Sequence, residues 1–139
     1  MSSQVLVPMD DSEMAERALE YALETHSDAE ITVLTVVGNP SPMLGDAMSL
    51  LLEDDLEAAA EERASEVFDR AREIARSHDR EISTDIAWGT PGKVIVERAD
   101  SFDTVVVGSH GGSLVDRLFV GNVAQRVLRR SPVPVTIVR

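Results

Sequence analysis

Two short stretches of this chain carry residue types suited to an anionic ligand. The first is Gly108-Ser109-His110-Gly111-Gly112-Ser113, followed after a gap by Gly121-Asn122-Val123. Glycine has no Cβ, so successive amides in such a stretch can turn inward and form a nest for negative oxygens. Gly121-Asn122 also opens an apolar-periodic segment, and the free N–H groups of a helix start favour phosphate. Ser109, Ser113 and Asn122 add donors, and His110 places an imidazole in the same loop. The second stretch is Pro8-Met9-Asp10-Asp11-Ser12, where the Asp10 carboxylate can accept from hydroxyl or amine donors. Both sets have a plainer use. The glycines can serve turns and a tight helix entry alone, and Asp10, Asp11 or Ser12 can cap a helix. The spacing is neither G-x-G-x-x-G nor a P-loop, and the loop holds no lysine. A phosphate there would rest on amides, on Arg117 or on a metal ion.

Other reactive residue types point to no site. His26, His78 and His110 lack partners at metal-ligand spacing, and the chain has no cysteine. Asp54-Asp55 and Glu61-Glu62 fall on a helical pattern and read as a solvated face. Trp88 precedes Gly89 and reads as a shield for a sheet edge or for the segment 40–54, with base stacking as a lesser use. No nucleophile–base pair, no P-loop lysine and no second substrate domain are visible, which argues against an enzyme such as a nucleotidyl transferase.

The elements that would position these loops alternate. Val5-Leu6-Val7 is a buried strand, and Met14, Ala18, Leu19 and Ala22 recur at helical spacing after it. Ile31 to Val37 is a β-branched second strand. Residues 43–54 stay open between a loop and a partly helical lid. A long helix is expected from about Asp55 to His78 on the stripe Leu56, Ala60, Ala64, Val67, Phe68, Ala71, Ile74 and Ala75. Ile82 to Ala87 is a third strand, and Thr90-Pro91 reads as an N-cap and N1 proline. A short helix, the strand Thr104 to Val107, a helix around Val123 to Leu128 and a last strand Val133 to Val138 follow. Short continuous apolar strands between helices argue for a doubly wound α/β fold with a parallel sheet covered on both faces. In such sheets ligands sit beyond the carboxyl ends of the strands, where strand order reverses. Both loops open there if strands one and four are neighbours.

Composition limits the function classes. The 139 residues suit one domain, 1–139. Lys and Arg total 13 and Asp and Glu 25, for a net charge of −12. That charge argues against nucleic-acid binding, because phosphate backbones demand concentrated positive charge. Twelve of the basic residues are Arg and one, Lys93, is Lys. That lysine-poor, acid-rich balance points to a salt-rich cytosol, where salt screens self-repulsion. No targeting or membrane-spanning segment is visible, so a cytoplasmic location is expected.

With those residues in view, the sequence resembles the universal stress protein family. The family pattern G-x2-G-x9-G-(S/T) reads here as Gly108-Ser109-His110-Gly111, nine residues, then Gly121-Asn122. The opening VLVPMDDSEMAERAL, the signature Gly89-Thr90-Pro91 and the last third of the chain fit as well. The resemblance implies a five-stranded sheet of order 3-2-1-4-5, helices on both faces, and an adenine nucleotide, ATP or AMP/ADP with Mg²⁺, as ligand. By the same resemblance, Pro8, Asp10 and Val36 flank adenine and ribose. Gly108, Ser109, His110, Gly111, Gly121, Asn122 and Val123 surround the phosphates. Asn122 stands where the pattern has Ser or Thr; it is larger and lacks the hydroxyl but still donates. The family also implies a homodimer through the edge strand 133–138 and a role in stress response or signalling. A dimeric interaction protein of the same fold without nucleotide stays open as the alternative.

Overall fold

A computed structural model describes residues 2–38, 46–110 and 121–139, with side chains omitted at 46–56. Strands β1 (Gln4–Pro8), β2 (Glu30–Val37), β3 (Ser83–Trp88), β4 (Thr104–Gly108) and β5 (Val135–Val138) alternate with helices α1 (Glu13–Thr25), α2 (Asp46–Ser77), α3 (Pro91–Ala99) and α4 (Asn122–Arg130). The strands form one sheet of order β3-β2-β1-β4-β5. Every neighbouring pair is parallel.

Alternation within the central strands explains the two layers. Val5 and Val7 of β1 point into a core shared with α1 and α2, while Leu6 between them points into a second core with α3 and α4. Val106 of β4 joins the first core, and Val105 and Val107 the second. Both central strands are buried on both faces and therefore read as unbroken apolar runs.

Helix α1 starts where Ser12 accepts the Ala15 N–H at 3.1 Å, so Ser12 is the cap. Thr90 occupies the cap position of α3 ahead of Pro91, but its side chain makes no capping bond. Helix α2 begins at Asp46, nine residues before the start at Asp55 that the apolar stripe predicts. From Ala64 onward the stripe holds: Ala64, Val67, Ala71, Ile74 and Ala75 are buried and Phe68 is packed against them, while the Leu56 side chain lies outside the described residues. Strand β5 begins at Val135 rather than Val133, just beyond Pro134, which has no N–H to give to a ladder. Trp88 ends β3 opposite Val37 and is 38% exposed.

Arg80 makes a junction that no periodicity announces. Its guanidinium donates to the carbonyls of Leu23 (2.9 Å), His26 (3.4 Å) and Ala29 (2.6 Å). It closes the C-terminal end of α1, where orphan carbonyls collect, and ties the α2–β3 link to it. Arg70 adds a second tie between α2 and α1 through Glu16 at 2.7 Å. Arg80→Met keeps most of the stem but removes the donors. It should lower stability by about 2 kcal/mol, the scale of lost charge-assisted hydrogen bonds, as read by urea unfolding.

Candidate functional site

The chain runs outward from β1 to β2 and β3, then returns to place β4 on the other side of β1. The carboxyl ends of β1 and β4 therefore flank the point where strand order reverses. A cavity of about 350 Å³ opens there, within the range of small-molecule sites. Its walls come from the ends of β1, β2 and β4 and from the starts of α1, α3 and α4.

Local bonds fix each wall. The segment after β1 is held to β2 twice: Met9 N–H donates to the Leu34 carbonyl at 2.8 Å, and Thr35 Oγ1 donates to the Met9 carbonyl at 3.2 Å. Asp10 then turns the chain. Its Oδ1 accepts the Ser12 N–H at 2.9 Å, and among the described residues Oδ2 has no partner. Asp10 is exposed at the cavity lip. It serves the turn with one oxygen, and the other is open to a donor.

Helix α4 supplies the opposite wall. Its first helical bond runs from Gln125 N–H to the Gly121 carbonyl at 2.9 Å. The N–H groups of Asn122, Val123 and Ala124 have no acceptor among the described residues, and all three residues line the cavity. This is the anion-receptive end of a helix. The Gly121 N–H is not part of it, because it donates to the Ser109 carbonyl at 2.6 Å.

Gly108 has a steric task of its own. A Cβ there would lie 2.8 Å from Met14 Cγ and 3.0 Å from the Met14 carbonyl oxygen. The bare backbone lets the first turn of α1 lie against the end of β4. Ser109 N–H donates to the Val138 carbonyl at 2.7 Å, and its side chain is fully buried. Its Oγ and His110 Nδ1 find no hydrogen-bond partner among the described residues.

Pro8, Asp10, Val36, Gly108, His110, Gly121, Asn122 and Val123 line one cavity. Ser109 does not line it. Gly111, Gly112, Ser113 and Arg117 lie outside the described residues. The reading by sequence missed the apolar floor, which Met9, Leu34, Ile95 and Val107 help to form. Its signal was present as the apolar ends of the strands. Trp88 is not among the lining residues. Among the described residues no group of three or more His, Asp or Glu could hold a metal ion, and no helix is long and apolar enough to cross a membrane.

Known proteins place this architecture. The sequence model of the universal stress protein family matches residues 1–139. A universal stress protein of Methanocaldococcus jannaschii is 29% identical over 98% of this chain and 81% of its own length. Universal stress protein UspA from Lactobacillus plantarum superposes with a TM-score of 0.81 over 99% of this chain and 97% of that one, at 24% identity. A crystal structure of a universal stress protein in complex with cAMP superposes with a TM-score of 0.71 at 26% identity, covering 99% of this chain and 97% of that one.

Gly108→Ala should destabilise the protein by about 1–3 kcal/mol, the usual cost of overpacking, since the Met14 backbone cannot yield cheaply. Thermal and urea unfolding without ligand measure it; an unchanged midpoint would show that α1 is free to move away.

Proposed function

The chain belongs to the universal stress protein family, and from that premise we propose that it is an adenine-nucleotide-binding module of stress response or signalling. ATP, ADP or AMP, with Mg²⁺ held by the phosphates, would occupy the crevice between β1 and β4. The observation that carries this is one cavity with an apolar floor, a carboxylate on one lip and, on the other, three helix-start amides that have no acceptor among the described residues. The base would lie over Met9 and Val36. Asp10 Oδ2 would accept from a ribose hydroxyl. The phosphate nearest the ribose would receive the N–H groups of Asn122, Val123 and Ala124. The cAMP complex of a relative that is 26% identical supports the ligand class.

Output would pass through a conformation or partner that senses the occupied site, which requires only different affinities for two states. Turnover would be very slow at most. Self-association is proposed through residues 133–138. Strand β5 ends the sheet, and Pro134 and Val138 turn their carbonyls to β4. The alternate peptide groups of Val135 and Ile137 then face the open edge, ready to pair with a second copy. The charge of −12 is proposed to make folding depend on salt, as in a salt-rich cytosol.

Asn122→Pro tests the helix-start contact. Proline is favoured at the first helical position, and Gly121 already has the extended backbone (ψ 163°) that a residue before proline adopts. The variant should fold normally yet lose about tenfold in AMP affinity by calorimetry, the cost of one charge-assisted donor. Equal affinity would remove the anion site from α4. No binding of any adenine nucleotide to the parent chain would favour the interaction protein that has lost its ligand.

Sedimentation and thermal unfolding across a potassium chloride series test the other two proposals together. A dimer whose midpoint rises steadily with salt is expected. A monomer removes the edge pairing, and a midpoint insensitive to salt removes the charge dependence.

A further inference from the structure

His78 stands where the C-terminal ends of α1 and α2 meet, and we infer that it is an acid-closed clasp between them: the protonated ring holds the Ile74 carbonyl of α2 and the Glu24 carboxylate of α1 together, and the neutral ring holds the first alone. Its backbone is fixed by the turn that ends α2. The His78 N–H donates to the Ala75 carbonyl at 3.0 Å, the Arg80 N–H shares that carbonyl at 2.9 Å, and Asp79 between them adopts φ 54°. The ring then lies with Nδ1 3.1 Å from the Ile74 carbonyl oxygen and Nε2 3.5 Å from Glu24 Oε1. Ser77 Oγ is 3.2 Å from Nδ1 and gives its own proton to the same Ile74 carbonyl, at 2.6 Å.

These contacts fix which nitrogen carries the proton of the neutral ring. A carbonyl oxygen, and a hydroxyl whose proton is already given away, can only accept, so Nδ1 is the donor. Nε2 of the neutral ring then turns a lone pair toward a carboxylate, and two acceptors face each other. A second proton converts that contact into a charge-assisted pair. The helix ends favour the same cation. Helix α1 has no basic residue in its last turn, where the Glu24 carboxylate meets orphan carbonyls. Arg80 brings one permanent charge there, through the Leu23, His26 and Ala29 carbonyls, and His78 brings a second that exists only when its ring is protonated. Glu20, Glu24 and His26 stand around the ring from the end of α1, and Arg76, Asp79 and Arg80 from its own stretch of chain; of these side chains only Glu24 pairs with it among the described residues. The Ile74 carbonyl first, then Glu24 and Glu20, hold the His78 pKa above its ordinary 6.5 against the opposing effect of burial. A raised folded value means that the contribution to stability is fully present below 6.5 and is lost as pH rises through the folded pKa.

NMR titration of the imidazoles in the full chain tests this at the lowest salt that keeps it folded, with the His78 signal identified by its loss in His78→Gln. The neutral ring should carry its proton on Nδ1, and its midpoint should lie above 6.5. Glu24→Gln should lower the proton affinity of His78 about threefold, the scale of an exposed ion pair. The urea midpoint of the parent chain should exceed that of His78→Gln at about pH 5, and the gap should close by about pH 8.5. A His78 midpoint unmoved by Glu24→Gln, a neutral ring protonated on Nε2, or a gap in urea midpoint equal at both pH values would overturn the clasp; the last would leave the ring a packing role alone.

Discussion

The close approach of α1 to β4 at Gly108 is the constraint on which the site depends. The first turn of α1 lies against backbone that has no room for a methyl group. That contact sets how far α1 stands from the sheet. It thereby sets where the turn at Asp10 and Ser12 meets the end of β4. Were α1 pushed outward, Asp10 would leave the lip of the cavity opposite α4. The Met9 bonds to β2 hold the other side of the same turn. The crevice is thus a product of backbone packing first and of side-chain chemistry second.

Much of this was legible in the sequence, for reasons that differ by element. Strands β1 and β4 are buried on both faces, so Val5-Leu6-Val7 and Val105-Val106-Val107 carry an unmistakable apolar signal. The strict alternation of strands and helices carried the layer architecture, and the resemblance carried the strand order. The beginning of α2 was not legible, because Leu50-Leu51-Leu52 is a block without helical period and the stripe emerges only later. Arg80 was invisible for another reason: its carbonyl acceptors lie 51 to 57 residues away, and backbone acceptors leave no mark on side-chain pattern.

The glycines show the limit most clearly. Composition proposes two uses for each of them, a turn or an approach to a ligand. Gly108 has a third, an approach to another helix, which depends on Met14 far away in sequence. Gly121 spends its N–H on Ser109, which moves the anion-receptive amides one residue onward, to Asn122. Neither fact can be read from a local motif. Charge distribution follows a similar rule. Excess acid is a property of the whole chain, yet Arg126, Arg129 and Arg130 gather on α4 while Glu13, Glu16, Glu20 and Glu24 gather on α1. The two helices cover opposite faces of the sheet, so the molecule is polarised across its thickness.

Ser109 joins the mouth of the cavity to the outer strand. Its amide holds the last residue of β5, and its carbonyl holds Gly121, the residue just before α4. The three backbones are links in series across one fully buried residue. A shift of the outer strand cannot be absorbed by a loose side chain at this joint; it is handed along rigid peptide units to the floor of the helix. The outer edge of the sheet and the start of α4 are therefore joined through backbone alone, with no side chain between them.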